Sequence, residues 1–180
     1  MKNIYALLIL TSLFLSCTQE AKEEVFENPE ENNFPDSWTG KYEGELLVTT
    51  HGETTDTSTM MLQMYRLDMN RTAFQIKYKS DSSVRDYELA PGKTPNHFVL
   101  DEKNSILIDY YYQNNELTSR FSVDDNMIDI NLRKQGDSIT ATTRVIPLNF
   151  NRETGDSVQW KIMRYKERAV QRAVLHKVNP

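Results

Sequence analysis

The sequence predicts an all-β fold: an antiparallel up-and-down barrel of about eight to ten strands, preceded by a signal peptide and an acidic tether. Three observations predict it. From Trp38 onward apolar residues recur with a period of two, not the roughly 3.6 of a helix. Turn-forming residues separate these runs at short intervals. Everything before Trp38 is either a short apolar segment or a polar, acidic one. The chain therefore divides into residues 1–16, a signal peptide; 17–37, a tether; and 38–180, one domain of ordinary size.

The amino terminus carries Lys2 and then a largely apolar run from Ile4 to Leu15. As a helix it would rise about 1.5 Å per residue, or roughly 18 Å, well short of the roughly 30 Å a membrane span must cross. It directs export and does not anchor. From Thr18 to Asp36 stand seven acids (Glu20, Glu23, Glu24, Glu27, Glu30, Glu31 and Asp36) against Lys22 alone. Such a segment is too polar to bury a core and repels itself into extension. The rest of the chain, from Ser37 on, holds acids and bases in equal number, so the asymmetry behind the net charge of −5 resides in the leash. That charge speaks against a nucleic-acid partner, which calls for a basic surplus.

In the domain, Tyr42, Gly44, Leu46 and Val48 share one face of a first strand, and Met60, Leu62 and Met64 one face of a second. The clearest alternation is Phe74, Ile76 and Tyr78 against Gln75, Lys77 and Lys79. Further runs follow: Ile106, Ile108, Tyr110 and Tyr112; Leu117, Ser119, Phe121 and Val123; Ile128, Ile130 and Leu132; Ile139, Ala141, Thr143 and Val145; and Val158, Trp160 and Ile162. His51-Gly52, Asp68-Met69-Asn70, Pro91-Gly92, Lys103-Asn104, Asn114-Asn115, Asp124-Asp125-Asn126, Gln135-Gly136-Asp137 and Gly155-Asp156 punctuate them. Asn and Gly accept the positive φ of tight hairpins, so neighbouring strands are expected to be sequential and antiparallel. A sheet that long curls shut, because twist accumulates and open edges aggregate. Lys166 to Val178 fits a helical stripe or a strand with Val170, Val174 and Val178 on one face. A closing strand is favoured because the first strand needs a partner.

Leu13-Phe14-Leu15-Ser16-Cys17 resembles the bacterial lipobox, with Phe where Leu is commoner. The resemblance implies cleavage before Cys17 and acylation of its thiol, hence an outer-membrane lipoprotein on the periplasmic or cell-surface face. The acids that follow resemble the surface-export signal of Bacteroidota lipoproteins. Gly40-Lys41-Tyr42 resembles the Gly-x-Trp start of lipocalins, fatty-acid-binding proteins and avidins, with Tyr for Trp. That likeness implies an aromatic plug at a closed barrel end with an Arg over it, a part for Arg164 or Arg172. Pro35-Asp36-Ser37-Trp38-Thr39-Gly40 is similar to the start of the NlpE-type barrel domain, but the Cys-x-x-Cys that follows there is absent, so no metal or redox chemistry carries over. Asp101 to Ile106, Leu117 to Phe121 and Gln171 to Leu175 resemble uncharacterised lipocalin-like lipoproteins of Bacteroidota.

No catalytic motif is present. The nucleophile elbow, the zinc-hydrolase helix and the phosphate loop are missing, and paired acids such as Asp101 with Glu102 fall in turns. His51, His97 and His176 lie far apart, without a second ligand at metal spacing, and exposed strand or turn positions account for them. No cofactor or metal is implied, and a non-catalytic protein is expected. Within Asp109-Tyr110-Tyr111-Tyr112, Tyr110 and Tyr112 are expected inside and Tyr111 outside. The favoured reading is a barrel that binds a small, partly apolar ligand, lined by Trp38, Tyr42, Leu62, Phe74, Tyr78, Ile108, Tyr110, Phe121 and Trp160. The alternative is a filled-core module that docks an envelope protein or glycan through Tyr111 or the basic final segment. In that segment Lys161, Arg164, Lys166, Arg168, Arg172 and Lys177 face Glu167 alone. Lipid headgroups, an acidic glycan, the chain's own tether or plain solvent all suit such a charge.

Overall fold

The computed structural model describes residues 33–81, 83–149, 152–155 and 160–178. Residues 1–32, with the expected signal peptide, Cys17 and most of the tether, lie outside these. A 3₁₀ turn at Asp36–Trp38 leads into twelve strands: β1 Gly40–Thr50, β2 Glu53–Arg66, β3 Thr72–Tyr78, β4 Val84–Pro91, β5 His97–Asp101, β6 Leu107–Gln113, β7 Glu116–Val123, β8 Asn126–Gln135, β9 Ser138–Pro147, β10 Arg152–Thr154, β11 Ile162–Arg164 and β12 Ala169–Val178. Ten of them close into a barrel in the order β1-β12-β9-β8-β7-β6-β5-β4-β3-β2, while β10 and β11 form a separate ribbon. Every barrel pair is antiparallel. The expected meander is the observed one.

Turn chemistry makes the meander. Asn114 and Asn115 both take positive φ between β6 and β7, as do His51 and Gly52 between β1 and β2. Closure depends on β12, which pairs with β9 from Ala169↔Val145 and with β1 from Lys41↔Val178. The segment is thus the strand the chain needed, with the opposite face inward. Ala173 and Leu175 are buried, whereas Val174 and Val178 are exposed. Gly44 marks the tightest point of this seam: a Cβ there would lie 1.9 Å from the Val174 carbonyl oxygen.

The two ends of the barrel differ. At the end where β1 begins, inward side chains are wholly enclosed: Tyr42, Leu62, Met64, Phe74, Leu89, Leu117, Ile139 and Leu175. Trp38 closes this floor from the 3₁₀ turn. Phe34 stacks on Tyr112 at 4.3 Å between centroids and meets Trp38 and Phe98 edge-on at 5.3 and 4.8 Å. Packing therefore reaches back to Phe34, ahead of the domain boundary expected at Trp38. Asp36 is ion-paired with Arg66, its Oδ2 accepting from Nη2 at 2.9 Å. The cation over the Tyr42 ring is Lys177, 6.0 Å from its centroid. This replaces the expected Arg164 or Arg172, since Arg164 lies on the ribbon and Arg172 points outward.

Three further expectations change. β4 and β5 are strands that the apolar period missed, because Arg85 takes an inward register position and β5 has only five residues. Ile106 is exposed, since it precedes β6. The run Val158, Trp160, Ile162 is no barrel strand: Val158 lies outside the described residues, and Trp160 and Ile162 belong to the excursion between β9 and β12.

Candidate functional site

At the other end of the barrel the same inward positions are only partly covered. Val48, Ile76, Tyr78, Tyr87, Phe121 and Ile130 are half-buried and pack against the core from above. Period-two register aligns them: Ile76 opposes Arg85 and Phe74 opposes Tyr87 across β3 and β4, while Phe121 opposes Ile128 across β7 and β8. This partly covered upper half, with its apolar and phenolic inner wall, is termed the cup.

One side of this wall is polar in a specific way. The Arg85 guanidinium lies 5.0 Å from the Tyr78 ring centroid. Burial pushes the Tyr78 phenol above the ordinary tyrosine value, and the nearby Arg85 charge offsets part of this. Burial also raises Tyr87, helped by Glu102 and opposed by Arg85. Tyr110 is raised most: burial dominates, with Tyr87, Glu102 and Tyr78 adding to it. Three phenols, a guanidinium and a carboxylate thus share one electrostatic neighbourhood at the upper end of β3, β4 and β6. All three phenols stay protonated near neutrality and present O–H dipoles without becoming charged.

The expected lining residues therefore separate. Trp38, Tyr42, Leu62 and Phe74 form the enclosed floor. Ile108 and Tyr110 are buried at 7% and 4% exposure, between floor and cup. Tyr78 and Phe121 face the cup. Trp160 is 77% exposed and lines nothing inside; the neighbouring strands β10 and β11 pair with each other and join no barrel strand. Tyr112 is inward and buried and Tyr111 is 55% exposed, as the alternation demands. Sequence reasoning missed Arg85 and Tyr87. The signal was Arg85-x-Tyr87-x-Leu89, an alternation disguised by its charged first member.

Other polar groups serve the scaffold. His97 is half-buried on its strand, where an exposed position was expected: Nε2 lies 2.8 Å from Asp109 Oδ1 and Nδ1 accepts from the Lys93 N–H at 3.2 Å. That pins the β4–β5 loop. His176 Nδ1 and Ser138 Oγ lie 3.0 Å apart on the outer face. Among the described residues no cluster of three or more His, Cys, Asp or Glu is placed to hold a metal ion. A cleft of about 490 Å³ opens at the rim between His51, Asp125, Pro147 and Lys166 to Arg168. A second, of about 650 Å³, runs along the outer wall beside Tyr111, Arg120, Asp129 and Arg144.

No family model matches the chain, and no curated protein matches it in sequence. Among the solved structures that share its shape are two of distant sequence. One is a protein of unknown function from the DUF3598 family of Nostoc punctiforme, with a TM-score of 0.57 and 9% identity over 78% of this chain; the chain spans 47% of that protein's length. The other is the S-type phycobiliprotein lyase CPES of Guillardia theta, with a TM-score of 0.54 and 7% identity over 86% of this chain and 98% of the lyase. Likeness at this identity establishes the barrel fold alone. It also corrects the expectation of a non-catalytic protein. A barrel of this shape is named as a lyase, so neither the fold nor the missing motifs separate binding from catalysis.

Proposed function

We propose that the barrel holds a small, partly apolar molecule in its upper half, with the molecule's apolar body against Ile76, Phe121 and Ile130. Its polar end lies beside Tyr78, Tyr87 and Arg85. The observation that carries this reading is the division of one continuous inner wall into a sealed floor and a half-exposed cup. Burial of a ligand there contributes about 25 cal/mol per Å² of apolar surface, and phenol hydroxyls fix its orientation. The likeness to a phycobiliprotein lyase is compatible with a small-molecule cup. We further propose that the chain is a lipoprotein, exported by residues 1–16 and tied to the outer membrane by acylated Cys17; the apolar run and the lipobox-like Leu13 to Cys17 support this.

One experiment addresses both parts. The chain is purified from its host and weighed twice, denatured and native. A denatured mass that exceeds the processed polypeptide by acyl chains supports the anchor; an unmodified Cys17 sinks it. A native mass with a further, non-covalent adduct that disappears in Tyr78→Ala with Phe121→Ala supports the cup. A bare native mass, together with no binding of a panel of small amphiphiles, sinks that reading.

A further inference from the structure

The stretch from Trp160 to Arg168 is exposed at every residue, although it is rich in large apolar side chains. Trp160, Ile162, Met163 and Tyr165 are 77%, 58%, 41% and 50% exposed. Large exposed apolar side chains gathered in one short stretch mark a place of contact. Interleaved with it are Lys161, Arg164, Lys166 and Arg168, and the only acid is Glu167. That acid is turned aside, its Oε1 lying 3.1 Å from Arg144 Nε on the barrel wall. Lys161 meets Glu153 of β10 at 3.0 Å, while Arg164, Lys166 and Arg168 make no ion pair with a described residue.

We propose that this ribbon docks on an anionic lipid bilayer. Trp and Tyr, each with an apolar body and a polar tip, belong at the headgroup level. Arg and Lys stems lie along apolar surface while their charges meet phosphates. Charge suits an anionic bilayer and the chain's own Glu-rich segment alike, and apolar surface selects the bilayer, because that segment has little of it to cover four large side chains. The position gives the contact a consequence. Residues 165–168 line a surface pocket with His51 and Gly52 at the upper end of the barrel, so docking brings that end to the lipid surface. The chain enters at the opposite end, through Phe34. The 16 residues from Cys17 to Asn32 reach roughly 55 Å when extended, enough to pass a barrel of roughly 25 to 30 Å height. Docking on the anchor's own bilayer is therefore sterically open.

The chain contains only two tryptophans. Trp38 is fully enclosed and Trp160 is open to solvent, so Trp160 is a built-in reporter. The chain purified from its host is reconstituted with vesicles of phosphatidylcholine alone or mixed with phosphatidylglycerol, with and without brominated acyl chains. The expected result is a blue shift and bromolipid quenching of Trp160 on the anionic vesicles only, absent in Trp160→Phe. Raised salt weakens the effect, and Lys161→Gln with Arg164→Gln lowers docking by about fivefold per base. An unchanged spectrum on anionic vesicles overturns the proposal, as does equal quenching on neutral ones. A blue shift without vesicles that depends on protein concentration, or on the acids Glu20 to Glu31, also overturns it, by assigning the ribbon to a second copy or to the chain's own acidic segment. None of these readouts depends on whether the cup holds a ligand.

Discussion

The floor and the cup are built from the same strands, with the same inward register, and differ in what covers them. On the floor, Trp38, Tyr42, Leu62 and Phe74 are sealed at 0% to 1% exposure, and Phe34 adds an aromatic lid from outside the sheet. In the cup, Tyr78, Tyr87, Phe121 and Ile130 keep part of their surface open. On the function proposed above, the difference separates two tasks that a small barrel must perform together. One end supplies the stability that the other end forgoes, because side chains that would fill the cup completely leave no room for an occupant.

The sharpest way to break this comparison is to truncate one aromatic at each end. Trp38→Ala is expected to cost about 3 to 5 kcal/mol, as for other large buried side chains. Phe121→Ala in the cup is expected to cost less than half of that. Urea midpoints at unchanged m measure both, and equal losses would erase the distinction between the ends. Next in size is Gly44→Val. The new side chain meets the backbone at Val174, and overpacking of this kind costs about 1 to 3 kcal/mol. Hydrogen exchange along β1 and β12 is expected to accelerate while β6 and β7 keep their protection.

Alkaline titration sharpens the comparison through the cup's phenols. The folded-state values of Tyr78, Tyr87 and Tyr110 are raised, mainly by burial. Above about pH 10, where an unfolded tyrosine ionises, the unfolded chain holds fewer protons than the folded one. Stability is therefore complete below that pH and falls as pH rises above it. Tyr110→Phe is expected to flatten this fall, and an unchanged alkaline limb would show that Tyr110 is not its source. The smallest effect belongs to the surface. Asp36 is held below the usual carboxylate range by its hydrogen bond from Arg66, but the pair is well exposed, at 38% and 44%. Asp36→Asn is expected to cost less than about 1 kcal/mol. That loss is present above about pH 4 and vanishes as acid protonates the wild-type carboxyl; a larger one would give the 3₁₀ turn a greater part in sealing the floor.

Most of the barrel was legible because period-two alternation and turn residues are local signals. Phe74-x-Ile76-x-Tyr78 and Asn114-Asn115 needed no tertiary information. What was not legible depended on partners. β4 hides its period behind Arg85, whose inward position is tolerable only at an open end beside the Tyr78 ring. On β12, two of the valines whose spacing suggested an inner face, Val174 and Val178, face outward, and the inner face uses Ala173 and Leu175. Trp160 obeys a strand's alternation within a ribbon that packs on nothing inside. The candidate site was legible as a set of inward aromatics, but its division into floor and cup was not. That division follows from which end Phe34 and Trp38 cap, a long-range fact.

Isoleucine methyl groups report on each region separately: Ile139 lies in the floor, Ile76 and Ile130 in the cup, and Ile106 and Ile162 outside. Methyl NMR of the chain, titrated with the host's lipid extract and with a panel of small amphiphiles, reads them side by side. A ligand held in the cup moves Ile76 and Ile130 and leaves Ile139 still. Shifts confined to Ile106 and Ile162, or no shift with any ligand, would contradict a binding cup above a sealed floor.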